Sequence, residues 1–402
     1  MSRKISIILL ALLSVVLGLW IWSVAAPKNS IILGGSTSVN PFMQKLTKKY
    51  YQESEKKDFI YNSTGSQAGV GGVEKEMYSA GFISKNISDS TLSKGNNFLN
   101  VCGGETRDSN LVVCSFSDID LNEFKKTNNN SKKISYIALE FAIDAIGVIF
   151  NSPNYWNEVI TYGNEENISL NDLMNFDLKS NKELLAKIYS GNMYWEELAK
   201  EVLKSYENEE FYSQLYKKIP TSNKTKIVTF TREDGSGTRT AFSDLTGIKD
   251  MHSSNVVNSN GSMIENMSNV SSIGYVSNAF LGQLTENGAI KLAGINGTKL
   301  AINKSNKPKE WINNQWQDWQ NPEAEKPSNT EEFIKNPTAY TFKRPFIAIF
   351  NIYNKNLEQL IQLFNWMNSK DEAKSVFDDE GLVRHMNYQS PSSKKLLGGN
   401  YA

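Results

Sequence analysis

The sequence predicts an α/β body large enough for two lobes. Three observations carry that expectation. Short apolar β-type runs alternate with helical patterns, as they do where strands feed crossover helices in a largely parallel sheet. The turns between them are rich in Gly, Ser and Thr. And 402 residues suffice for two ordinary domains or one bilobed body.

The first element is an uncharged apolar run from Ile5 to Ala26, behind Arg3 and Lys4. It is long enough to span a bilayer as a helix. Leading cations predict an N-terminus inside and a body outside, and Trp20 and Trp22 suit the far interface. Ser23-Val24-Ala25-Ala26 faintly resembles a signal-peptidase site, but Pro27 follows at once. An uncleaved anchor is therefore favoured over a cleaved signal. With no Cys nearby, a lipid anchor is not available. Outside the cell Cys102 and Cys114 would pair or remain as two buried thiols, and both readings stay open.

Ser30-Ile31-Ile32-Leu33 reads as a strand, followed by the turn Gly34–Pro41 and a helix from Phe42 to Tyr50. Asp58–Tyr61 is the next strand, Asn62–Gly69 a polar turn, and Val73–Tyr78 a helix. Ala80–Ile83 is a third strand, ending at Ser84-Lys85. The stretch from Asn86 to Ser135 is polar and Asn-rich, with one strand at Leu111–Cys114. Ile134–Asn151 is strongly apolar and suits a buried strand crossing between lobes. Ile168–Tyr216 is helix-rich, Val270–Val276 holds another buried strand, and Lys304–Thr330 reads as an exposed connection. Tyr340–Phe350 is a late strand. Leu357–Met367 and Asp371–Phe377 have apolar residues at helical spacing.

The stretch Thr231–Arg239 is the one the chain is organised around. A strand, Lys226–Phe230, runs into Arg232-Glu233-Asp234-Gly235-Ser236-Gly237-Thr238 and then into a helix at Thr240–Leu245. A helix start offers unpaired N–H groups and a positive dipole end. Glycines let backbone approach a ligand or adopt φ > 0. Ser236 and Thr238 add hydroxyls, and Arg232 adds a fixed cationic fork. The plain structural reading is a turn capped by Ser236 or Thr238. In α/β sheets ligands bind at the carboxyl ends of strands. Four hydroxyl-rich turns at such positions point to an anion site.

Other chemistries have little support. A Walker loop needs a Lys that is absent. A nucleophile elbow needs Gly where Asp234 stands. His252 and His385 are the only histidines, leaving little for a triad or a His-rich metal site. Lys and Arg (43) balance Asp and Glu (43), so bulk charge does not suggest nucleic acid.

The motifs Gly35-Ser36-Thr37-Ser38-Val39, Tyr61…Gly65-Ser66, Ala80–Lys85 and Arg232…Thr238 occur in that order. So do Ile143-Asp144-Ala145-Ile146, Ile188-Tyr189-Ser190-Gly191, Ile273-Gly274-Tyr275-Val276 and Arg344-Pro345-Phe346. Together, over about residues 31–385, the chain resembles the extracytoplasmic phosphate-binding proteins of the high-affinity phosphate ABC importer. The resemblance implies a two-lobe, hinge-closing fold of the type II periplasmic-binding-protein class, without enzymatic activity or cofactor. Residues 1–29 are read as the anchor from the apolar run itself, and the body divides into 30–145 with 280–402 as the first lobe and 146–279 as the second. The resemblance carries ligand contacts onto Ser38, the Val39 amide, Ser66, Ser84, Arg232, Ser236, Gly237 and Thr238. Thr37 stands behind them, and Asp234 is expected to orient Arg232. The implied partners are inorganic phosphate, the permease subunits with their cytoplasmic ATPase, and the membrane. Several family members carry Asp where Ser84 stands. That Asp accepts a hydrogen bond from protonated phosphate and so rejects sulfate. Alternatives are another oxyanion, such as sulfate or molybdate, an enzyme acting on phosphate esters, or a surface adhesin that kept the fold.

Overall fold

The computed structural model describes residues 30–54, 58–103, 111–127, 134–163, 166–302, 306–323 and 329–391. The expected anchor, Ile5–Ala26, lies outside them. Among the described residues no helix is long and apolar enough to cross a membrane.

The main sheet has eleven strands. They are β1 (Ile31–Gly35), β2 (Phe59–Ser63), β3 (Ala80–Ile83), β4 (Leu111–Ser115), β5 (Tyr136–Asn151), β6 (Val228–Arg232), β7 (Asn255–Val257), β8 (Ser272–Ser277), β9 (Ile290–Leu292), β10 (Lys343–Asn351) and β11 (Val383–Pro391). Along the sheet the order is β7-β6-β8-β5-β10-β3-β1-β2, with β9 and β11 also on β5 and β4 on β11. The helices that matter for the site are α1 (Asn40–Ser54), α2 (Ser66–Glu74), α3 (Gly237–Thr246) and α4 (Asn260–Met267); α5 (Leu357–Ser369) and α6 (Asp371–Asp379) flank the first lobe.

The sheet is mixed rather than largely parallel. β2-β1-β3 and β7-β6-β8 are parallel blocks. They are joined through antiparallel pairings of β5 with β8 and β10, and of β10 with β3. β5 explains the joint. Its sixteen residues are almost all buried, as a strand covered on both faces must be. Its first part pairs with β10 and β11, and its last six residues pair with β8.

The buried side chains separate into two main cores. One gathers Phe42, Phe141, Phe350, Phe364 and Phe377. The other gathers Trp156, Trp195, Phe242, Tyr275 and Phe342. The chain passes between them at Ala142 to Ala145 on β5 and at Phe342 to Phe346 at β10, and on β11 it touches the second core at Val383 between Leu382 and Met386 of the first. Residues 280–342 were expected in the first lobe. Instead Leu281, Leu292, Trp319, Phe333 and Tyr340 belong to the second core. The reason is local: β9 pairs with the last residues of β5, and Gly294–Ile295 pairs with Asn175–Phe176.

Two further differences from the sequence reading have physical causes, and one open choice, the cysteine pairing, is resolved. α2 begins at Ser66 rather than near Val73. Its glycines look like turn residues, but Gly69 is where the helix lies against β1, since a Cβ there would sit 2.6 Å from Gly35 Cα. The described part of 304–330 holds a hairpin, Lys309–Ile312 with Gln315–Asp318. Its turn residues Asn313 and Asn314 both have positive φ, as a two-residue hairpin loop favours. Cys102 and Cys114 form a disulfide with Cα atoms 5.4 Å apart.

Candidate functional site

Four helix N-termini meet at one buried place. Ser38 precedes α1, Ser66 opens α2, Gly237 opens α3 and Asn260 opens α4. Their contacts cross from one core to the other. Ser38 Oγ lies 2.8 Å from Thr238 Oγ1 and accepts from Asn260 Nδ2 at 3.0 Å. Ser66 Oγ lies 3.4 Å from Ser84 Oγ and accepts from the Ser84 amide at 3.3 Å. Ser36 Oγ donates to Ser84 Oγ at 2.8 Å. Ser38, Ser66, Ser84, Thr238 and Asn260 are all essentially inaccessible.

Two glycines in the Arg232–Thr238 loop serve different needs. Gly235 has φ +84°, the left-handed region that side chains avoid. Gly237 is required by closeness: a Cβ there would fall 2.3 Å from Ser84 Oγ and 2.4 Å from Ser66 Oγ. Ser236 caps α3, its hydroxyl accepting from the Arg239 amide at 3.4 Å. The Gly237 and Thr238 amides sit in the first turn, where helix geometry provides no acceptor.

Arg232 is fully buried at the end of β6. The Tyr275 hydroxyl, stacked through its ring on Phe242 at 3.9 Å, accepts from the Arg232 amide. The Arg232 guanidinium grips Glu233 through Nε at 3.0 Å and Nη2 at 2.9 Å. Nη2 also donates to Thr37 Oγ1 and to the Asn258 carbonyl, each at 2.9 Å. Nη1 has no partner among the described residues, although it is buried. A buried guanidinium N–H without an acceptor is expensive unless something occupies it.

A second guanidinium backs the site. Arg344 bonds Asp144 Oδ2 through Nε at 3.0 Å and Nη2 at 2.9 Å. It also donates to Ser38 Oγ and to the Ser84 carbonyl, at 3.1 Å each. Ser277 Oγ donates to the same Asp144 oxygen at 2.9 Å. Burial pushes the Asp144 carboxyl up, and the Arg344 guanidinium offsets this only partly. Burial likewise pulls Arg344 below its ordinary value, against the pull of Asp144.

The structure thus brings Ser38, Ser66, Ser84, Arg232, Ser236, Gly237 and Thr238 together, with Thr37 against Arg232. Two expectations do not hold as stated. Asp234 does not orient Arg232: it is 95% exposed and pairs with Arg239 at 2.9 Å, while Glu233 takes the orienting place. The Val39 amide, expected to face a ligand, donates to the Ser36 carbonyl at 3.1 Å. Sequence reasoning missed Asn260, Asp144, Arg344 and Glu233 as members of the site. Asp144 and Arg344 lie inside matched motifs, but a charge within an apolar strand is the signal that would have found them.

A family model for the PBP superfamily domain matches residues 23–371. Among solved structures, the chain is similar to a protein from Clostridium perfringens described as a phosphate ABC transporter substrate-binding protein with bound phosphate. The two are 18% identical over 89% of this chain and 100% of that one, with a TM-score of 0.51, a likeness that shows the fold. An ABC-type phosphate transport receptor from Vibrio cholerae is 19% identical over 88% of this chain and 100% of that one, with a TM-score of 0.46. No curated protein matches the chain.

Proposed function

The chain belongs to the PBP superfamily, and from that premise we propose that it is an extracytoplasmic solute-binding protein for inorganic phosphate, delivering it to an ABC importer. One observation carries the proposal: Arg232 is fully buried with Nη1 unpartnered among the described residues, and its Nη2 bonds Thr37, next to the cluster of serine and threonine hydroxyls and helix N-termini. A dehydrated oxyanion needs many neutral donors and one guanidinium to replace its water. Here Ser38, Ser66, Ser84, Ser236 and Thr238 supply hydroxyls, Gly237 supplies an amide, and Arg232 supplies charge. The hydroxyls bond to one another across the cleft, and an oxyanion between them would redirect those protons onto itself. The two carboxylates beside the site are partly neutralised, Glu233 by Arg232 and Asp144 Oδ2 by Arg344.

The two cores act as lobes, and the passages at Ala142–Ala145 and Phe342–Phe346, with the β11 contact at Val383, act as the hinge. The Ile5–Ala26 segment holds the body at the outer face of the membrane. A second reading, another oxyanion such as sulfate, is favoured by one observation: Ser84 is a neutral hydroxyl where a carboxylate would demand a proton from the ligand. The test is calorimetric titration of the detergent-solubilised chain with phosphate, sulfate and a phosphate ester. Phosphate binds with one equivalent, and Arg232→Ala weakens it by roughly 10- to 150-fold, the equivalent of a charge-assisted hydrogen bond. An unchanged affinity in that variant places the site elsewhere.

A further inference from the structure

The second lobe carries a cavity of about 650 Å³ that shares no lining residue with the cleft. Ile290, Leu292, Leu300 and the Trp316 ring form apolar wall, and Lys291, Lys299, Lys307 and Lys309 line it too. Two carboxylates also line it, Asp172 and Glu286, each held by neutral donors. Asp172 accepts from the Ser169 amide and hydroxyl at 2.9 and 2.6 Å, and Glu286 accepts from Asn306 at 2.6 Å. Both keep their negative charge, and Asp318 pairs with Lys307 at 3.8 Å, so four lysines face three carboxylates and positive charge is in excess by one.

The wall is built rigidly. Trp316 Nε1 donates to the Asp172 carbonyl at 2.6 Å, and the ring presses on Gly294, where a Cβ would meet it at 2.5 Å. Trp311 packs edge-on to it across the hairpin at 5.1 Å. Lys299 Nζ lies 4.1 Å above the Trp316 ring. Burial pushes that ammonium down to about 8; Asp172 opposes the shift, and Lys309 and Lys291 add to it. Lysines held together with too few counter-charges are relieved by a bound anion. The volume is that of a small-molecule site and far exceeds one oxyanion. Lysine ammonium groups along one wall suit phosphate as point charges, and the apolar wall suits an organic body.

We propose that this cavity is a second ligand site, separate from the cleft, and that it takes an organic phosphate monoester, with the lysines on the phosphoryl group and the Trp316 wall on the body. The proposal rests on no part of the cleft reading. Its test is calorimetric titration of the full chain with phenyl phosphate, in wild type, Arg232→Ala, Lys299→Met and Lys309→Met. Wild type and Arg232→Ala bind one equivalent alike. Lys299→Met and Lys309→Met weaken that binding at least tenfold and leave inorganic phosphate binding as in wild type. Absence of phenyl phosphate binding in Arg232→Ala, or undiminished binding in the lysine variants, overturns the site. If Lys299→Met does not fold, Lys309→Met, whose side chain is half-buried on the hairpin, decides the matter.

Discussion

Arg344 and Asp144 face each other in register where β5 and β10 pass from one hydrophobic core to the other, Nη2 and Oδ2 2.9 Å apart. The same guanidinium reaches Ser38 and Ser84 in the cleft. The ion pair therefore couples the crossing strands to the site walls.

Asp144→Ala leaves a buried guanidinium uncompensated, which typically destabilises by about 3–5 kcal/mol. The variant should unfold at clearly lower urea than wild type. It should also bind phosphate more weakly, because Arg344 no longer holds Ser38. Replacing both partners, Asp144→Leu with Arg344→Met, should recover much of the stability but not the affinity. Equal urea midpoints for Asp144→Ala and wild type would remove the pair from any structural role.

Gly237→Ala isolates closure from folding. Alanine suits the first turn of α3 better than glycine. Its Cβ, however, falls 2.3 and 2.4 Å from the Ser84 and Ser66 hydroxyls and 3.0 Å from the Ser84 amide. Serine side chains are too short to swing clear. Overpacking of about 1–3 kcal/mol predicts a phosphate affinity lower by roughly 5- to 150-fold. Thermal unfolding of the ligand-free protein should stay near wild type, and X-ray scattering should show less compaction on adding phosphate.

The sequence made some of this legible and hid the rest for identifiable reasons. β1, β3 and β5 stood out because unbroken apolar runs between turn residues have few other readings. The Arg232 loop stood out because strand, glycine turn and helix start coincide. β11 escaped because its Arg384-His385 and Asn387 look like loop; yet Tyr388 and Ser390 are buried, and the sheet covers them. Asn260 opens a short helix that no apolar period announces. Glu233 and Asp234 are adjacent carboxylates, and only backbone direction decides which one meets Arg232. The 309–318 hairpin has few apolar residues, and Asn313-Asn314 between the two tryptophans was its one turn signal.

Lys299 gives a pH prediction whose sign is fixed. Its folded pKa, about 8, lies below the ordinary lysine value of 10.5. Between those values the unfolded chain binds the proton and the folded chain does not, so its contribution to stability rises with pH. Below about pH 8 the buried ammonium is a full penalty. The difference in unfolding free energy between wild type and Lys299→Met should therefore shift in favour of wild type from pH 8 to 10. A flat difference across that window would mean that Lys299 titrates as an exposed lysine.

On the proposed phosphate reading, Ser84 sets how the site treats a proton on its ligand. Its hydroxyl oxygen accepts from Ser36 at 2.8 Å, which leaves its own proton for Ser66 Oγ, 3.4 Å away, or for a bound oxyanion. A donor there has no use for a protonated phosphate. Binding should thus accept mono- and dibasic phosphate, with affinity nearly constant from about pH 6 to 8, across the second ionisation near 6. Sulfate, which has no proton to give, should compete measurably in wild type. Ser84→Asp places a carboxylate against an unprotonated oxyanion in a buried site, so sulfate should be rejected and phosphate should favour its monobasic form. Phosphate affinity in that variant should then fall as pH rises through the same window. The measurement is displacement of bound phosphate by sulfate in both proteins at pH 6 and pH 8. If wild type and Ser84→Asp exclude sulfate equally, the selectivity lies in Arg232, Thr238 and the closing geometry of the lobes, and Ser84 is only one donor among several.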